Sequence, residues 1–246
     1  MLTYSIGETI YKTCNYGFKK VEIKDGILLV NGKNVKLKGV NRHDFAPDNG
    51  WAVPEKTYRK DLELLKKHNF NAVRTSHSPD DPYFYDLCDQ YGIYVMDACD
   101  LETHGIGMRM ELSAMAGGEA TQEPPRHDVF PGSNEAYYPA VLDRVSRMVL
   151  RDRNHPCVTI WSLGNESGNG DAFVKMYEWI KELDKTRPIH YEGDMERPCS
   201  DIFSKMYLPP NAVAMLAQGQ DVQLDQLNLA PTTLTSSPLA SAMFQY

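Results

Sequence analysis

The sequence predicts an α/β protein built on a parallel sheet. From residue 37 onward, apolar or β-branched runs of strand length recur, and most are separated by segments with apolar residues at helical spacing. Gly, Pro or Asn punctuates many of the joins. In such sheets ligands gather at the carboxyl ends of the strands, so the chemistry is expected there.

The elements follow in order. Phe18, Val21 and Ile23 alternate with Lys19, Lys20 and Glu22, which predicts a strand with one buried face. Residues 27–30 are continuously apolar, Asn31-Gly32 follows, and Val35 and Leu37 stand between lysines; this predicts a hairpin. It leads directly into Gly39-Val40-Asn41-Arg42-His43. Residues 57–69 place Tyr58, Leu62 and Leu65 at helical spacing ahead of a short strand at 70–74. A helix is predicted from about Pro82 to Gly92, then a strand at 93–97. After a long loop at 105–139, a helix at 140–153 carries Val141, Val145, Met148 and Val149 on one side. A strand at 158–163, a helix at 172–183, and strands at 188–192 and 201–207 complete the series. A closed barrel of eight strand–helix units takes about 250 residues. Six strands are used by Tyr207, with 39 residues remaining.

Composition excludes several classes. With 26 basic and 33 acidic residues the chain is mildly acidic, with no basic patch for nucleic acid. No apolar run approaches the roughly 20 residues of a membrane span, and residues 1–13 lack the pattern of a secretory leader. Cys14, Cys88, Cys99, Cys157 and Cys199 are scattered and odd in number, which points to free thiols and a cytoplasmic setting. Leu208–Tyr246 holds all 39 remaining residues but only two charges, Asp221 and Asp225. An amphipathic surface helix normally carries charge on its polar face, so this segment is expected to be a disordered or frame-shifted tail.

The predicted strand ends collect Asn41, Arg42 and His43, then Arg74 and His77, then Glu102 and His104, then Asn165 and Glu166, and finally Glu192 and Tyr207. Glu166 follows a buried strand beside an amide, and desolvation there would raise its pKa, as suits a general acid. Glu102 and His104, two apart, can face one side if extended, and with Glu166 offer ligands to an oxygen-preferring ion such as Mg²⁺.

Five blocks in order carry a resemblance: Gly39-Val40-Asn41-Arg42-His43, Phe70-Asn71-Ala72-Val73-Arg74-Thr75-Ser76-His77, Asp100-Leu101-Glu102-Thr103-His104-Gly105, Arg151-Asp152-Arg153-Asn154-His155-Pro156 and Trp161-Ser162-Leu163-Gly164-Asn165-Glu166-Ser167-Gly168. They resemble the catalytic domain of bacterial beta-galactosidases of glycoside hydrolase family 2. The resemblance implies a (β/α)8 TIM barrel, here truncated after about six strands. It divides the chain into 1–24, the last strand of an immunoglobulin-like β-sandwich domain, 25–207, the partial barrel, and the 208–246 tail. It implies hydrolysis of terminal β-galactose from β-galactosides such as lactose by a retaining mechanism. Glu166 takes the place of the acid/base, and Asn165 that of a partner of the sugar 2-hydroxyl. Glu102, His104 and Glu166 resemble ligands of an active-site Mg²⁺, where metal contact would tune Glu166. His43 and His77 look like galactose-contacting histidines, Tyr207 like the tyrosine beside the nucleophile, and Asn154, His155 and Pro156 look structural. The family also often binds Na⁺ near the sugar 6-hydroxyl and usually forms oligomers.

Two departures stand out. Ala98 occupies a position where the family usually has Glu. No Cys-Glu-Tyr-like block follows Tyr207, and Leu208–Tyr246 contains no glutamate, so the family's nucleophile is expected to be absent and the isolated chain inactive. Two alternatives stand beside a glycosidase. One is a fragment that complements or competes within an oligomeric enzyme; the other is a barrel hydrolase with Zn²⁺ on His43, His77, His104 and Glu166, against which the absence of close His spacing argues.

Overall fold

The computed structural model describes residues 2–5, 8–11, 16–106, 129–193, 199–202, 204, 206, 208–218, 220, 222–223, 233–234 and 244–245. Strands β1 (Leu2–Ser5) and β2 (Glu8–Tyr11) form an antiparallel pair. Strands β3 (Val21–Lys24), β4 (Ile27–Val30) and β5 (Lys33–Asn34) form a three-stranded antiparallel sheet. The Asn31-Gly32 turn falls where the sequence places it, with φ of 51° at Asn31 and 74° at Gly32, the left-handed conformation these residues tolerate best. Because β3 pairs with β4, the hairpin crosses the boundary at 24/25 drawn from the sequence. Phe18 does not join the buried face of β3: it is 88% exposed, its ring edge-on to Tyr16.

The main sheet contains β6 (Gly39–Arg42), β7 (Ala72–Thr75), β8 (Tyr94–Ala98), β9 (Val158–Asn165) and β10 (Ile189–Glu192), all parallel and in sequential order. The crossovers contain α1 (Glu55–Lys67), α2 (Pro82–Tyr91), α3 (Tyr138–Asp152) and α4 (Asp171–Leu183). Local chemistry sets several boundaries. Asp81 accepts the backbone N–H of Tyr83 to cap α2, Pro82 occupies its first position, and Gly92 ends it at φ 67°. The helices lie within two residues of the sequence expectation at each end.

Of the last predicted strand, the described residues 201, 202, 204 and 206 form no strand. Residues 199, 201 and 202 are bends, and residues 203, 205 and 207 lie outside the described set. Asp201 ties the segment to β10 and α4: its N–H donates to the Ile189 carbonyl, and its carboxylate receives the N–H of Ile189, the Tyr177 hydroxyl and the Lys181 ammonium. The sixth strand of the sheet is instead the dipeptide β13 (Phe244–Gln245), parallel to β6 at the opposite edge. The segment expected to be an unstructured tail also contains α5 (Pro210–Ala217), β11 (Val222–Gln223) and β12 (Thr233–Leu234). Its apolar residues suffice for short local elements even without a charged face.

Two apolar clusters hold the layers. The larger lies between sheet and helices, with Leu62, Phe84, Val145, Trp161 and Phe173 among its buried members. Full burial of each such side chain stabilises by about 1.5–3 kcal/mol. The smaller joins Met96 and Ile160 of the sheet to Val21 and Leu28 of the hairpin and to Ile202, so β3 and β4 pack against the other side of the barrel strands. Among the described residues no helix is long and apolar enough to cross a membrane, and Cys88, Cys99, Cys157 and Cys199 are buried free thiols.

Candidate active site

The carboxyl ends of β6 to β10 bring the predicted polar residues to one rim. Three of these ends are tied together by backbone. Glu102 and Asn165 form a parallel bridge, the N–H of Asn165 donates to the Leu101 carbonyl at 2.9 Å, and the N–H of Glu166 donates to the Glu192 carbonyl at 2.8 Å. Gly164 makes this approach possible. Its φ is 142°, and a Cβ there would meet the Leu101 carbonyl oxygen at 2.5 Å. Two residues on, Glu166 itself adopts φ 42°, an uncommon conformation for a side-chain-bearing residue that re-aims the chain as the strand ends.

The side chains converge on Asn165. Its Nδ2 donates to Glu102 Oε2 at 2.5 Å and to Glu166 Oε2 at 3.0 Å, while its Oδ1 accepts from Arg74 Nη2 at 2.9 Å. His104 Nδ1 lies 2.6 Å from the same Glu166 oxygen. The Glu166 side chain keeps 27% of its surface exposed, so it is less desolvated than its place after a buried strand suggested.

Ligand atoms from Glu102, His104 and Glu166 all lie within 4.8 Å of one another. Two carboxylates and one imidazole, open to solvent on one side, fit a hard divalent cation that retains several waters. His43 and His77 are not part of this cluster. Their rings meet edge to face at 5.4 Å, which does not give the four-ligand Zn²⁺ set.

Burial, with the charge of Arg74 and the ring of His43 beside it, pushes the His77 pKa down to about 4. It is therefore neutral near pH 7, and its 3.8 Å approach to Glu102 is not an ion pair there. Its Nδ1 is buried with no hydrogen-bond partner among the described residues, and so is Nδ2 of Asn41. Glu192, the other carboxylate at the rim, is buried. Burial alone would raise its pKa, but the His190 imidazole 3.6 Å away and a hydrogen bond from Ser204 outweigh that and hold it low. Tyr207 lies outside the described residues. His155 has the structural place expected for it, with Nδ1 at 2.7 Å from Asp89.

The sequence did not reveal the role of Arg74 or the free amide hydrogens of Asn41. Both stood among the polar residues at the predicted strand ends, and an arginine within an apolar strand was a further signal, since a buried guanidinium requires partners.

Comparison with known proteins places this geometry in a family. Residues 21–228 match the glycosyl hydrolases family 2, TIM barrel domain. The chain belongs to glycosyl hydrolase family 2. A beta-galactosidase of Pectobacterium atrosepticum is 48% identical over 192 residues, which is 78% of this chain and 17% of that protein. One from Lactococcus lactis subsp. lactis is 44% identical over 201 residues, 80% of this chain and 18% of that protein. The chain thus spans less than a fifth of the length of these relatives. A solved beta-glycosidase from Bacteroides vulgatus aligns with a TM-score of 0.58 and 29% identity, covering 76% of this chain and 22% of that one. A family 2 beta-galacturonidase from Eisenbergiella tayi bound to galacturonate aligns with a TM-score of 0.61 and 25% identity, covering 82% and 36%. The five sequential parallel strands are accordingly part of the family 2 TIM barrel, with the rim residues at the end where such barrels act.

Proposed function

We propose that this chain is the acid-bearing part of a retaining beta-galactosidase that removes terminal β-galactose from β-galactosides such as lactose. The observation that carries the proposal is the convergence of Asn165, His104 and Glu102 on Glu166 at the end of β9. The identity to beta-galactosidases supports the choice of sugar.

Glu166 is the general acid/base: its carboxyl gives a proton to the leaving glycosidic oxygen, then takes one from water. Asn165 is a hydrogen-bond partner of the sugar 2-hydroxyl, and His43 and His77 line the galactose subsite. Neutral His77 offers a ring nitrogen, and Asn41 an amide hydrogen, to sugar hydroxyls. By its place in the sequence Tyr207 takes the role of the family's tyrosine beside the nucleophile, a glutamate these 246 residues do not supply. Glu102, His104 and Glu166 would hold Mg²⁺, which when bound would supply fixed positive charge next to the acid. Na⁺ near the sugar 6-hydroxyl, a homo-oligomeric enzyme and a cytoplasmic setting complete the proposal.

A retaining mechanism needs a second carboxylate about 5–5.5 Å from the first. Glu192 is engaged by His190 and Ser204, and Leu208–Tyr246 offers no glutamate. The 246 residues by themselves are therefore proposed not to turn over. The test is hydrolysis of an aryl β-galactoside by the purified chain, with and without Mg²⁺, beside Glu166→Gln and Glu192→Gln. Silence in all samples is expected. Turnover lost in both variants would make Glu192 the nucleophile and overturn the proposed inactivity.

A further inference from the structure

The geometry points to Arg74 as a positioning residue for the Glu102–Glu166 pair, acting through the orientation of the Asn165 side-chain amide. The inference rests on the reading of Glu102, His104 and Glu166 as a divalent-cation site.

An asparagine amide has one accepting end and one donating end. In Asn165 the accepting end faces Arg74 Nη2 at 2.9 Å, and the donating end serves both Glu102 and Glu166. A guanidinium only donates and ionised carboxylates only accept. Rotating the amide by half a turn would set N–H against N–H on one side and oxygen against two carboxylates on the other. Arg74 therefore excludes the reversed amide, and the exclusion keeps two hydrogens on the carboxylate side.

The guanidinium is itself held from the opposite side. Asn41, the register partner of Arg74 in the neighbouring strand, accepts from Nη1 at 3.2 Å. The resulting relay runs from β6 through β7 to the end of β9 and reaches Glu102 beyond β8. Arg74 is only 2% exposed, so water competes poorly for these donors. The planar fork matters here. A lysine ammonium keeps the charge but is a point donor on a flexible stem and cannot span Asn41 and Asn165 in the same fixed geometry.

Without the lock the amide rotates, the carboxylates lose their common donor, and their mutual repulsion spreads the ligand atoms. Removing such outer partners typically costs about ten- to a hundredfold in metal affinity.

The experiment uses the 246-residue chain and Mn²⁺ as a paramagnetic stand-in for Mg²⁺. Free Mn²⁺ is read by electron paramagnetic resonance, and folding is checked by near-ultraviolet circular dichroism. Arg74→Lys should weaken Mn²⁺ binding about ten- to a hundredfold while the fold persists. Asn165→Ala, which removes both donors without adding charge, should do the same. Asn41→Ala leaves every charge in place and covers the case in which Arg74→Lys does not fold; it should lose affinity in the same direction. Wild-type affinity in folded Arg74→Lys, or in Asn41→Ala where the first does not fold, overturns the inference. A second readout separates this from failure of the metal reading. In the metal-free chain the two Asn165 side-chain N–H resonances should be well separated, and should collapse toward free-amide values in the Arg74 or Asn41 variant. If the wild type binds no Mn²⁺, the cation site falls, and the amide resonances alone decide the role of Arg74: collapse supports it and no change overturns it.

Discussion

Replacing Asp184 with Asn tests whether one buried carboxylate anchors the strand that carries Glu166. Asp184 Oδ2 accepts Trp161 Nε1–H at 2.9 Å and Arg187 Nη1 at 2.5 Å, and Oδ1 accepts the Thr186 N–H at 2.8 Å. Arg187 in turn donates to the carbonyls of Val158 and Arg153, and its guanidinium lies over the Trp161 ring. Burial alone would raise the Asp184 pKa. The hydrogen bonds from Thr186 and Trp161 and the charge of Arg187 outweigh it and hold the value at about 2. An unfolded aspartate titrates near 3.9, so the folded value is depressed by about two pKa units, worth at most about 2.6 kcal/mol. Residual contact with water reduces this to about 1–2 kcal/mol. Because the folded pKa is the lower one, the contribution is fully present above about pH 5 and is lost as pH falls through about 2. Urea unfolding followed by tryptophan fluorescence should show Asp184→Asn less stable by about that amount at pH 7. The penalty should fall to about half near pH 3. An equal penalty at pH 7 and pH 3 would refute the electrostatic account, and no penalty at pH 7 would refute the anchoring itself.

Other outcomes follow from the same geometry. Gly164→Ala places a methyl against the Leu101 carbonyl at a φ that side chains rarely adopt, and should cost about 3–5 kcal/mol in urea unfolding; a loss under about 1 kcal/mol would show that the β8–β9 approach is not tight. Glu166→Gln should leave the urea midpoint nearly unchanged because the side chain is partly exposed, yet reduce Mn²⁺ affinity at least tenfold. Unaltered Mn²⁺ binding would remove Glu166 from the ligand set. Leu62→Ala, at a fully buried position of α1, should destabilise by about 2–5 kcal/mol in the same unfolding assay; a change under about 1 kcal/mol would mean that the helix–sheet core is not closely packed there.

The amino-acid sequence determined the α/β class and the order of the elements, because periodicity, the Asn-Gly turn and the capping residues are local signals, and it carries the five motif blocks, four of which lie at the rim. Gly92 after an amphipathic run ends α2 wherever the rest of the chain lies, and Asn31-Gly32 turns a hairpin without help. The same local logic expected a strand at 201–207, where the described residues 201, 202, 204 and 206 form none, since Asp201 is bound by α4 and β10, elements outside its own segment. It also left residues 208–246 without elements, because composition reports the missing charges but not that Phe244–Gln245 can pair with β6. Only the tertiary structure decided which polar residues meet. His43 and His77 stand together at the rim, yet the ligand atoms that converge belong to Glu102, His104 and Glu166. The direction of the Asn165 amide depends on Arg74, 91 positions earlier in the chain. Hydrogen bonds at such separations depend on the register between strands, and register is set by packing of the whole sheet.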